Sequence, residues 1–330
     1  MKAMVLKAYG SPLKVLHLEE VEKPAPKENE VLVKVHAASI TFSNLLIATG
    51  TPFFVRLMNG GTLQKPGIKI LGSDIAGRVE AVGGKAKQFR PGDEIFGYVA
   101  GCGKGGYAEY VCAPEKVLEL KPANLSFEEA AAVPEAALVA LQALRDYGQI
   151  QKGQNVLVYG ASGGIGTFAV QIAKYFGAEV TGVCSTNNVA MVRSLGADHV
   201  IDYKKEDFLK KAQPFDLIVA TAGYRSIFDY QRALNPTGIY VVTGGSWAQL
   251  FECLLLGGRL SKTRGKKYSV LMLKQNKDLA LLKEMIEAGR VKPVLDRCYP
   301  LSQVPEAFMY YSKRHARGKV VITIAVDSQA

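Results

Sequence analysis

The chain has 330 residues, of which 48% are hydrophobic and 22% charged, and its formal net charge is +11. This length suits two domains, and the balanced composition excludes a disordered or low-complexity protein. No apolar run is long enough for a membrane-spanning helix, and the five scattered cysteines contain no Cys-x-x-Cys pair, which argues against a disulfide framework and a structural zinc site.

The first 122 residues predict β structure. Short segments rich in β-branched and aromatic residues are separated by Pro and Gly, which indicates a compact barrel or sandwich. These segments are "EVLVKVHAASI", "DIAGRVEAVG", "DEIFGYV" and "GYAEYVCAP". Beyond Pro122 the pattern becomes helical over 125–148, and Ser126 with Glu129 forms the pattern of a capping box.

From Gln154 onward the chain alternates predicted strands and helices. Repeated strand–helix–strand units require a parallel sheet with helices on both faces. The strands are predicted at 155–160, 178–184, 199–203, 215–223 and 238–245, and the helices at 164–177, 187–196, 206–212 and 226–234. The last strand, "KVVITIA", either extends this sheet or rejoins the first β domain, and we favour the second for residues after about 290.

A glycine-rich turn follows the first of these strands. It consists of Gly160, Ala161, Ser162, Gly163, Gly164, Ile165 and Gly166. Glycine is needed where the backbone bends, where a pyrophosphate approaches and where the helix packs on the strand, and the helix N-terminus attracts the anion. The alternative is a tight strand-to-helix turn without a ligand. The context of a buried strand and an amphipathic helix favours a dinucleotide site.

The segment "VCSTNN", 183–188, lies where NAD-binding proteins place an acid on the ribose. It has no Asp or Glu. A carboxylate would repel a 2′-phosphate, whereas hydroxyl and amide groups can hydrogen-bond it, so the segment favours NADPH over NADH. Asp198 and Asp202 come later, and we expect neither at the ribose position.

Motifs along the whole chain resemble the medium-chain dehydrogenase/reductase superfamily, in its zinc-free quinone-oxidoreductase branch. They are "LGSDIAGRVEAVG" (71–83), "FRPGDEIFG" (89–97), "GYAEYV" (106–111), "LSFEEAAAVP" (125–134), "GASGGIGTFAVQIAK" (160–174), "SLGADHVIDY" (194–203) and "RGKVVI" (317–322). The resemblance implies an α/β protein in which a doubly wound Rossmann domain, 123–289, is inserted into a discontinuous GroES-like β-rich domain, 1–122 and 290–330.

The resemblance also bears on metal binding. Zinc members of the superfamily hold the catalytic metal with a Cys, a His after a Gly, and a later Cys or acid. The first two positions read Thr41 and Ser73 here, and the cysteine-rich structural lobe is absent from the sequence. Hydroxyl groups do not replace the soft ligands of Zn²⁺, so we expect no metal site.

By position in the family, the 2′-phosphate is expected against Ser185, Thr186, Asn188, Tyr203 and Arg314. Many relatives have a basic residue at 187–188, where this chain has two asparagines. Tyr203 could instead be a surface aromatic residue, and Arg314 a solvated charge. We also assign Ala222 and Gly244, near the ends of two later strands, to the cofactor site.

Without a metal, catalysis depends on positioning and on hydrogen bonds to the developing negative charge, which suits quinones and activated alkenes. Thr41 and Asn44 could donate such bonds, or they could simply cap the loop. Relatives often have Asp at the position of Asn44, so proton delivery from water is expected. The sequence predicts a zinc-independent, NADPH-dependent oxidoreductase acting on quinones or α,β-unsaturated carbonyl compounds.

A different class of function stays open at this point. The basic segment 259–268, "RLSKTRGKKY", is either a solvated loop or a polyanion contact. The alternative function is an NADPH-binding sensor or scaffold that uses this loop on RNA or a membrane surface. We expect a cytoplasmic protein with a small-molecule partner, a possible homodimer, and neither specific nucleic-acid binding nor a membrane span, since the N-terminus resembles neither a signal nor a transit peptide.

Overall fold

The computed structural model describes residues 1–102, 105–210 and 213–324, without the side chains of 262–264. Its strands, in chain order, are β1 (Lys2–Leu6), β2 (Leu16–Glu20), β3 (Glu30–Ser39), β4 (Asp74–Val82), β5 (Glu94–Tyr98), β6 (Tyr110–Pro114), β7 (Leu118–Leu120), β8 (Asn155–Tyr159), β9 (Glu179–Cys184), β10 (His199–Asp202), β11 (Phe215–Ala220), β12 (Leu234–Val242), β13 (Lys267–Val270), β14 (Leu295–Pro300) and β15 (Lys319–Thr323). Its helices are α1 (Pro12–Val15), α2 (Phe42–Thr49), α3 (Phe54–Met58), α4 (Phe127–Ala131), α5 (Pro134–Gln142), α6 (Gly164–Tyr175), α7 (Val189–Ser194), α8 (Ile227–Ala233), α9 (Trp247–Arg264), α10 (Leu279–Glu287) and α11 (Val304–Ser312).

The chain divides into two compact units, the second inserted into the first along the sequence. The first unit combines Met1–Glu135, Gln275–Glu287 and the chain from Pro293 onward. The second combines Ala136–Lys274 with Ala288–Lys292. The predicted boundaries stay a prediction, but the compact units differ from them in placing 123–135 and 275–287 in the first unit.

Hydrogen bonds explain why α10 joins the first unit. Glu287 accepts a bond from the Ala123 N–H at 3.1 Å, and Asn124 donates to the Ile286 carbonyl at 2.9 Å. Helix α4 packs on β3 and β4 of the same unit. These contacts join sequence-distant segments, and the local pattern does not reveal them.

The first unit is built on a sheet of order β14-β15-β3-β4-β5-β7, with β6 also paired to β3 and with a separate β1–β2 hairpin. Strand β3 lies at its centre, and most of its side chains are buried. Strand β15 pairs antiparallel with β3 and parallel with β14. The prediction that the last strand rejoins the first β domain is therefore confirmed.

The second unit is a six-stranded sheet of order β10-β9-β8-β11-β12-β13, with every pair parallel. Strands are added outward from β8 in both directions, and right-handed crossovers then place the helices on opposite faces. The predicted α/β fold, a doubly wound domain inserted into a β-rich domain, is confirmed. The strand order reverses at β8 and β11, where such sheets bind ligands at the carboxyl ends of their strands.

The predicted helix over 125–148 contains a break. The Ser126 hydroxyl accepts from the Glu129 N–H at 3.2 Å, and the Glu129 carboxylate accepts from the Ser126 N–H at 3.0 Å, so the capping box is confirmed. Helix α4 then ends at Ala131, and Pro134 begins α5, because proline suits the first turn of a helix but not its interior.

Two other local predictions were wrong. In place of a helix over 206–212 the described chain has only a 3₁₀ turn, Phe208–Lys210, in which Asp207 accepts from the Leu209 N–H; residues 211 and 212 lie outside the described chain. The basic segment 259–268 is not a loop, because α9 runs to Arg264 and β13 begins at Lys267. None of the helices in the described ranges is long and apolar enough to cross a membrane.

Candidate cofactor and active site

The glycine-rich turn lies between β8 and α6, at the reversal point of the parallel sheet. Gly160 has a φ of +90°, and a Cβ there would lie 2.7 Å from Thr221 Oγ1 and from Ala222 Cβ. A Cβ on Gly166 would lie 2.1 Å from the Gly160 carbonyl oxygen. Both glycines are therefore required by the protein's own packing, which holds the first turn of α6 against the end of β8.

Gly163 is different, because nothing in the protein requires it. A Cβ there would meet only the Gly160 oxygen, at an ordinary 3.6 Å. Gly163 is the N-cap of α6, whose first-turn N–H groups have no partners within the helix. An open cradle in front of these donors fits a pyrophosphate group.

The end of β9 carries a small polar cluster. The Asn188 amide nitrogen donates to Ser162 Oγ at 3.0 Å and to Ser185 Oγ at 3.2 Å. Asn188 Oδ1 is buried and has no partner within the protein. The structure thus brings three of the predicted cofactor residues, Ser162, Ser185 and Asn188, together and leaves one buried acceptor oxygen without a partner within the described protein.

The acidic side chain of Asp202 lies beside this cluster, and whether it meets the ribose stays a prediction. Asp202 ends β10, opposite Cys184, and its Oδ2 accepts a 2.6 Å bond from the Thr186 hydroxyl. That bond, above all, lowers the pKa of Asp202, and the Lys204 N–H also donates to its carboxylate. A carboxylate of the third strand therefore lies next to Thr186, one of the residues predicted to contact the cofactor.

The remaining predicted residues of the second unit lie at the ends of its strands. Tyr203 is 49% exposed, and its N–H donates to the Cys184 carbonyl at 3.1 Å, which fixes it beside the end of β9. Ala222 follows β11, and its Cβ lies near Gly160. A Cβ on Gly244 would lie 2.8 Å from the Thr221 oxygen, so close packing explains this glycine.

In the first unit, Thr41 and Asn44 belong to one buried hydrogen-bonded group. Thr41 caps α2, accepting from the Asn44 N–H at 3.3 Å, so the capping interpretation is confirmed for Thr41. Its hydroxyl also lies 2.8 Å from Ser43 Oγ and 3.4 Å from Ser73 Oγ. Asn44 Oδ1 accepts from Ser73 and from the Tyr107 hydroxyl, which leaves the Asn44 amide nitrogen as the free donor.

Arg314 lies in the same unit. It has a φ of +57°, and its guanidinium carbon is 5.6 Å from the centre of the Phe42 ring. The Arg314 side chain is exposed and lies over Phe42, the residue that follows Thr41. Its assignment to the 2′-phosphate stays a prediction.

Two carboxyl groups and one ammonium group adjoin the Thr41 cluster. Asp74 accepts from Ser39 Oγ at 2.8 Å, from the Glu135 N–H at 3.0 Å and from Lys319 Nζ at 3.3 Å. Glu135 Oε1 lies 3.5 Å from Ser43 Oγ, whereas its Oε2 is buried without a partner. Burial, and then the neighbouring Asp74, raise the pKa of Glu135 to about 7.

Sequence reasoning missed Ser43, Asp74, Glu135 and Lys319 as members of this group. Glu135 carried a usable signal, because it is the only charged residue in the apolar run "AAAVPEAALVALQAL". A lone acid in such a run is costly to bury and therefore suggests a specific role. Lys319 carried no comparable signal within its strand.

The donor set at Thr41 and Ser73 does not fit zinc. Two hydroxyls and the one nearby carboxyl of Glu135 offer no thiolate or imidazole, and the Lys319 ammonium already neutralises Asp74. In the described ranges, no three His, Cys, Asp or Glu side chains are grouped to hold a metal ion.

Family models match two parts of the chain. The model described as "Alcohol dehydrogenase GroES-like domain" matches residues 27–123, and the model described as "Zinc-binding dehydrogenase" matches residues 195–322. The first covers most of the β-rich segment, and the second covers the later strands and the C-terminal return.

Curated and solved proteins resemble the whole chain. The mitochondrial NAD(P)H oxidoreductase RTN4IP1 of Bos taurus is 33% identical, covering 98% of this chain and 89% of its own length. The 2-methylene-furan-3-one reductase of Solanum lycopersicum is 35% identical, with 98% and 79% covered. The solved quinone oxidoreductase of Coxiella burnetii superposes with a TM-score of 0.86 at 30% identity, with 98% and 99% covered.

Proposed function

Because the chain belongs to the medium-chain dehydrogenase/reductase superfamily, in its zinc-free quinone-oxidoreductase-like branch, and is therefore an NAD(P)H oxidoreductase, we propose that it reduces quinones or α,β-unsaturated carbonyl compounds with NADPH. The observation that carries this proposal is the Thr41–Asn44 cluster. It has hydrogen-bond donors where a metal-dependent relative would have metal ligands.

The bound nicotinamide supplies the hydride. The residues of the chain supply orientation and charge stabilisation. The Gly160–Gly166 turn and the first turn of α6 would hold the pyrophosphate, and the missing side chain of Gly163 would leave room for it. Thr41 and the Asn44 amide nitrogen donate to the carbonyl oxygen of the acceptor, whose negative charge grows as hydride arrives.

Hydrogen bonds of this kind favour acceptors whose product anion is delocalised. An enolate or a hydroquinone anion spreads its charge, whereas the alkoxide from a simple ketone does not. Two neutral donors stabilise the negative charge of the transition state less than a metal ion does. In well-studied enzymes, one oxyanion donor lowers the barrier by about 3 kcal/mol. The site therefore suits a quinone or enone better than a saturated ketone.

The preference for NADPH rests on Ser185, Thr186 and Tyr203. The Ser185 hydroxyl at the end of β9 can donate to a 2′-phosphate, the Thr186 hydroxyl can do so once it releases Asp202, and Tyr203 is exposed beside them. Asp202 opposes this preference, but it is already bonded by the Thr186 hydroxyl and the Lys204 N–H. Ala222, Gly244 and Arg314 complete the proposed cofactor contacts.

The test is the steady-state oxidation of NADPH by the full chain, with 1,4-benzoquinone, an enone such as 2-cyclohexenone, and cyclohexanone as the saturated control. We expect turnover with the first two and none with the third. Asn44→Ala lowers kcat/KM for both acceptors about 10²-fold, the order found for a lost oxyanion donor. The exposed Ser302→Ala leaves it unchanged. Equal rates for N44A and the parent protein refute the assigned role.

A homodimer is also proposed, through β13 and α9. Strand β13 is the edge of the parallel sheet, and α9 exposes large apolar side chains beside it, with Leu255 77% exposed. The exposed edge and apolar side chains suit pairing with a second copy. The cytoplasmic location stays a prediction, and the bovine relative is named as mitochondrial.

The alternative role, in which a basic loop contacts RNA or a membrane surface, is not favoured. The segment 259–268 is the end of a helix and the start of a strand. Lys266 Nζ donates to the carbonyl oxygens of Gln231 and Leu234, so this cation serves the unit's own packing.

A further inference from the structure

Three oxygen-bearing side chains form a row that ends on Thr41. Glu135 Oε1 lies 3.5 Å from Ser43 Oγ, and Ser43 Oγ lies 2.8 Å from Thr41 Oγ1. The other carboxyl oxygen of Glu135 is buried and has no partner. A carboxylate in this place would leave one charged oxygen unsatisfied, whereas a carboxylic acid can donate its hydrogen along the row.

The surroundings of Glu135 also favour its protonated form. Asp74 accepts bonds from the Ser39 hydroxyl, the Glu135 N–H and the Lys319 ammonium, whereas the described structure gives the Glu135 carboxyl only the Ser43 hydroxyl, 3.5 Å from its Oε1. Burial, and then the neighbouring charge of Asp74, raise the pKa of Glu135 to about 7, so its carboxyl group keeps a proton near neutral pH. The phenols of Tyr98 and Tyr311 also face this group, and burial, followed by the charge that Glu135 carries when ionised, raises the pKa of each of them.

The proposed reaction needs a proton as well as a hydride. Hydride addition to an enone leaves an enolate, and addition to a quinone leaves a hydroquinone anion. The Asn44 amide can hydrogen-bond this anion but cannot protonate it. A proton source within reach of Thr41 would complete the reaction without admitting bulk water.

We propose, on the basis of the proposed function, that Glu135 stores the proton that the product takes up after hydride transfer. It passes this proton through the hydroxyls of Ser43 and Thr41. The Thr41 O–H bond breaks as its proton joins the enolate carbon or the hydroquinone oxygen. The Ser43 proton then moves to Thr41, and the Glu135 proton moves to Ser43. Glu135 is left as a carboxylate and regains a proton from water, so charge and atoms balance. Glu135 acts through Thr41 and is a positioning residue.

The first test compares pH profiles of kcat for 2-cyclohexenone between pH 6 and 9. In the parent protein kcat falls as pH rises through about 7, because Glu135 loses its proton. Glu135→Gln lowers kcat about tenfold or more at pH 6 and removes this fall. Glu135→Asp restores part of the rate and the fall. Glu284→Gln, an exposed carboxyl on α10, changes neither.

A second variant and a direct measurement separate the relay from a structural role. Ser43→Ala interrupts the row and lowers kcat as E135Q does, and the double variant is no slower than either single one. Difference infrared spectroscopy of the parent protein and of S43A shows a protonated carboxyl band that titrates near pH 7 and is missing in E135Q.

The failures are distinguishable. If the parent protein reduces no acceptor, the proposed function and the relay both fail, whatever the infrared band shows. If it turns over and E135Q retains the same pH profile, or S43A keeps the parent rate, only the relay is overturned. NADPH binding measured by fluorescence confirms that each variant is folded. If E135Q does not bind NADPH, the rate of S43A and the infrared titration of the parent protein decide whether the relay exists.

Discussion

Glu135 is the residue whose contacts and chemical role were hardest to predict from the sequence. Its carboxyl group belongs to a chain segment 61 residues from Asp74, and Asp74 is 245 residues from Lys319. No spacing rule joins such positions, because the contacts arise only when the β-rich unit is complete. The Thr41 segment, in contrast, was found from family resemblance, and its hydroxyls proved to be bonded to one another.

The raised pKa of Glu135 predicts a pH dependence of stability. Its pKa in the folded chain is about 7 against an ordinary 4.5, so the folded state binds more protons between these values. The free energy of unfolding therefore falls as pH rises from 4.5 to 7 and levels off above 7. Glu135→Gln removes this slope and stabilises the protein at pH 8 by on the order of 1–3 kcal/mol.

Urea unfolding at a series of pH values checks this prediction. Glu284→Gln, the exposed matched control, keeps the slope of the parent protein. A slope in E135Q equal to that of the parent protein would show that Glu135 ionises normally in the folded chain.

Asp202 sets the second prediction at this scale. If Thr186 contacts a 2′-phosphate, the carboxylate bonded to Thr186 repels that phosphate. Asp202→Asn should then tighten NADPH binding about fivefold. NADH binding should not tighten. Fluorescence titration with both cofactors measures the ratio, and an unchanged ratio would place the 2′-phosphate elsewhere. Asp198→Asn, whose carboxylate pairs with Lys174, is the control.

Among the elements, the Gly160–Gly166 turn was predictable from the sequence because its geometry is local. The strand, the turn and α6 are consecutive, and the glycines follow from the sharp bend. The short helix expected over 206–212 was wrong for the opposite reason. Seven residues carry little intrinsic helical stability, and the Asp207 side chain bonds its own turn instead.

Gly163 gives the prediction for this element. Gly163→Ala leaves the melting temperature of the cofactor-free protein unchanged within about 2 °C, because its Cβ meets only one atom at 3.6 Å. The same Cβ intrudes on the pyrophosphate cradle and should weaken NADPH binding tenfold or more. Gly84→Ala, with nothing within 4 Å of its Cβ, is the control and changes neither. Unaltered NADPH affinity in G163A would show that the pyrophosphate does not bind at this turn.

At the scale of the whole molecule, the alternation of strands and helices was enough to predict a doubly wound α/β domain, and the last strand and the family resemblance indicated its insertion into the β-rich domain. The spacing of apolar residues and the Gly and Pro residues between elements are visible in the sequence, and the right-handed crossover rule leaves few topologies. The domain boundaries were not predictable from local patterns. Helix α10 joins the first unit through hydrogen bonds from Ala123 to Glu287 and from Asn124 to Ile286, which link distant parts of the sequence.

The proposed homodimer makes a prediction at this scale. Leu254 and Leu255 are exposed on α9, and Met272, just beyond β13, is 71% exposed. The double variant Leu254→Glu and Leu255→Glu places charges on this face and should yield a monomer in sedimentation velocity, where the parent protein sediments as a dimer. The matched control is Leu57→Glu, an exposed leucine on α3. A monomeric parent protein, or a dimeric double variant, contradicts the proposed interface.

The central claim is that this chain transfers hydride directly from NADPH to an activated acceptor, and isotope transfer tests it most directly. The full chain is incubated with 2-cyclohexenone and NADPH deuterated at either face of nicotinamide C4, and the saturated ketone is analysed by mass spectrometry. The account predicts one deuterium at the β-carbon of the product from one of the two labelled cofactors, and none from the other. No reduced product, or a product without deuterium from either cofactor, would contradict it.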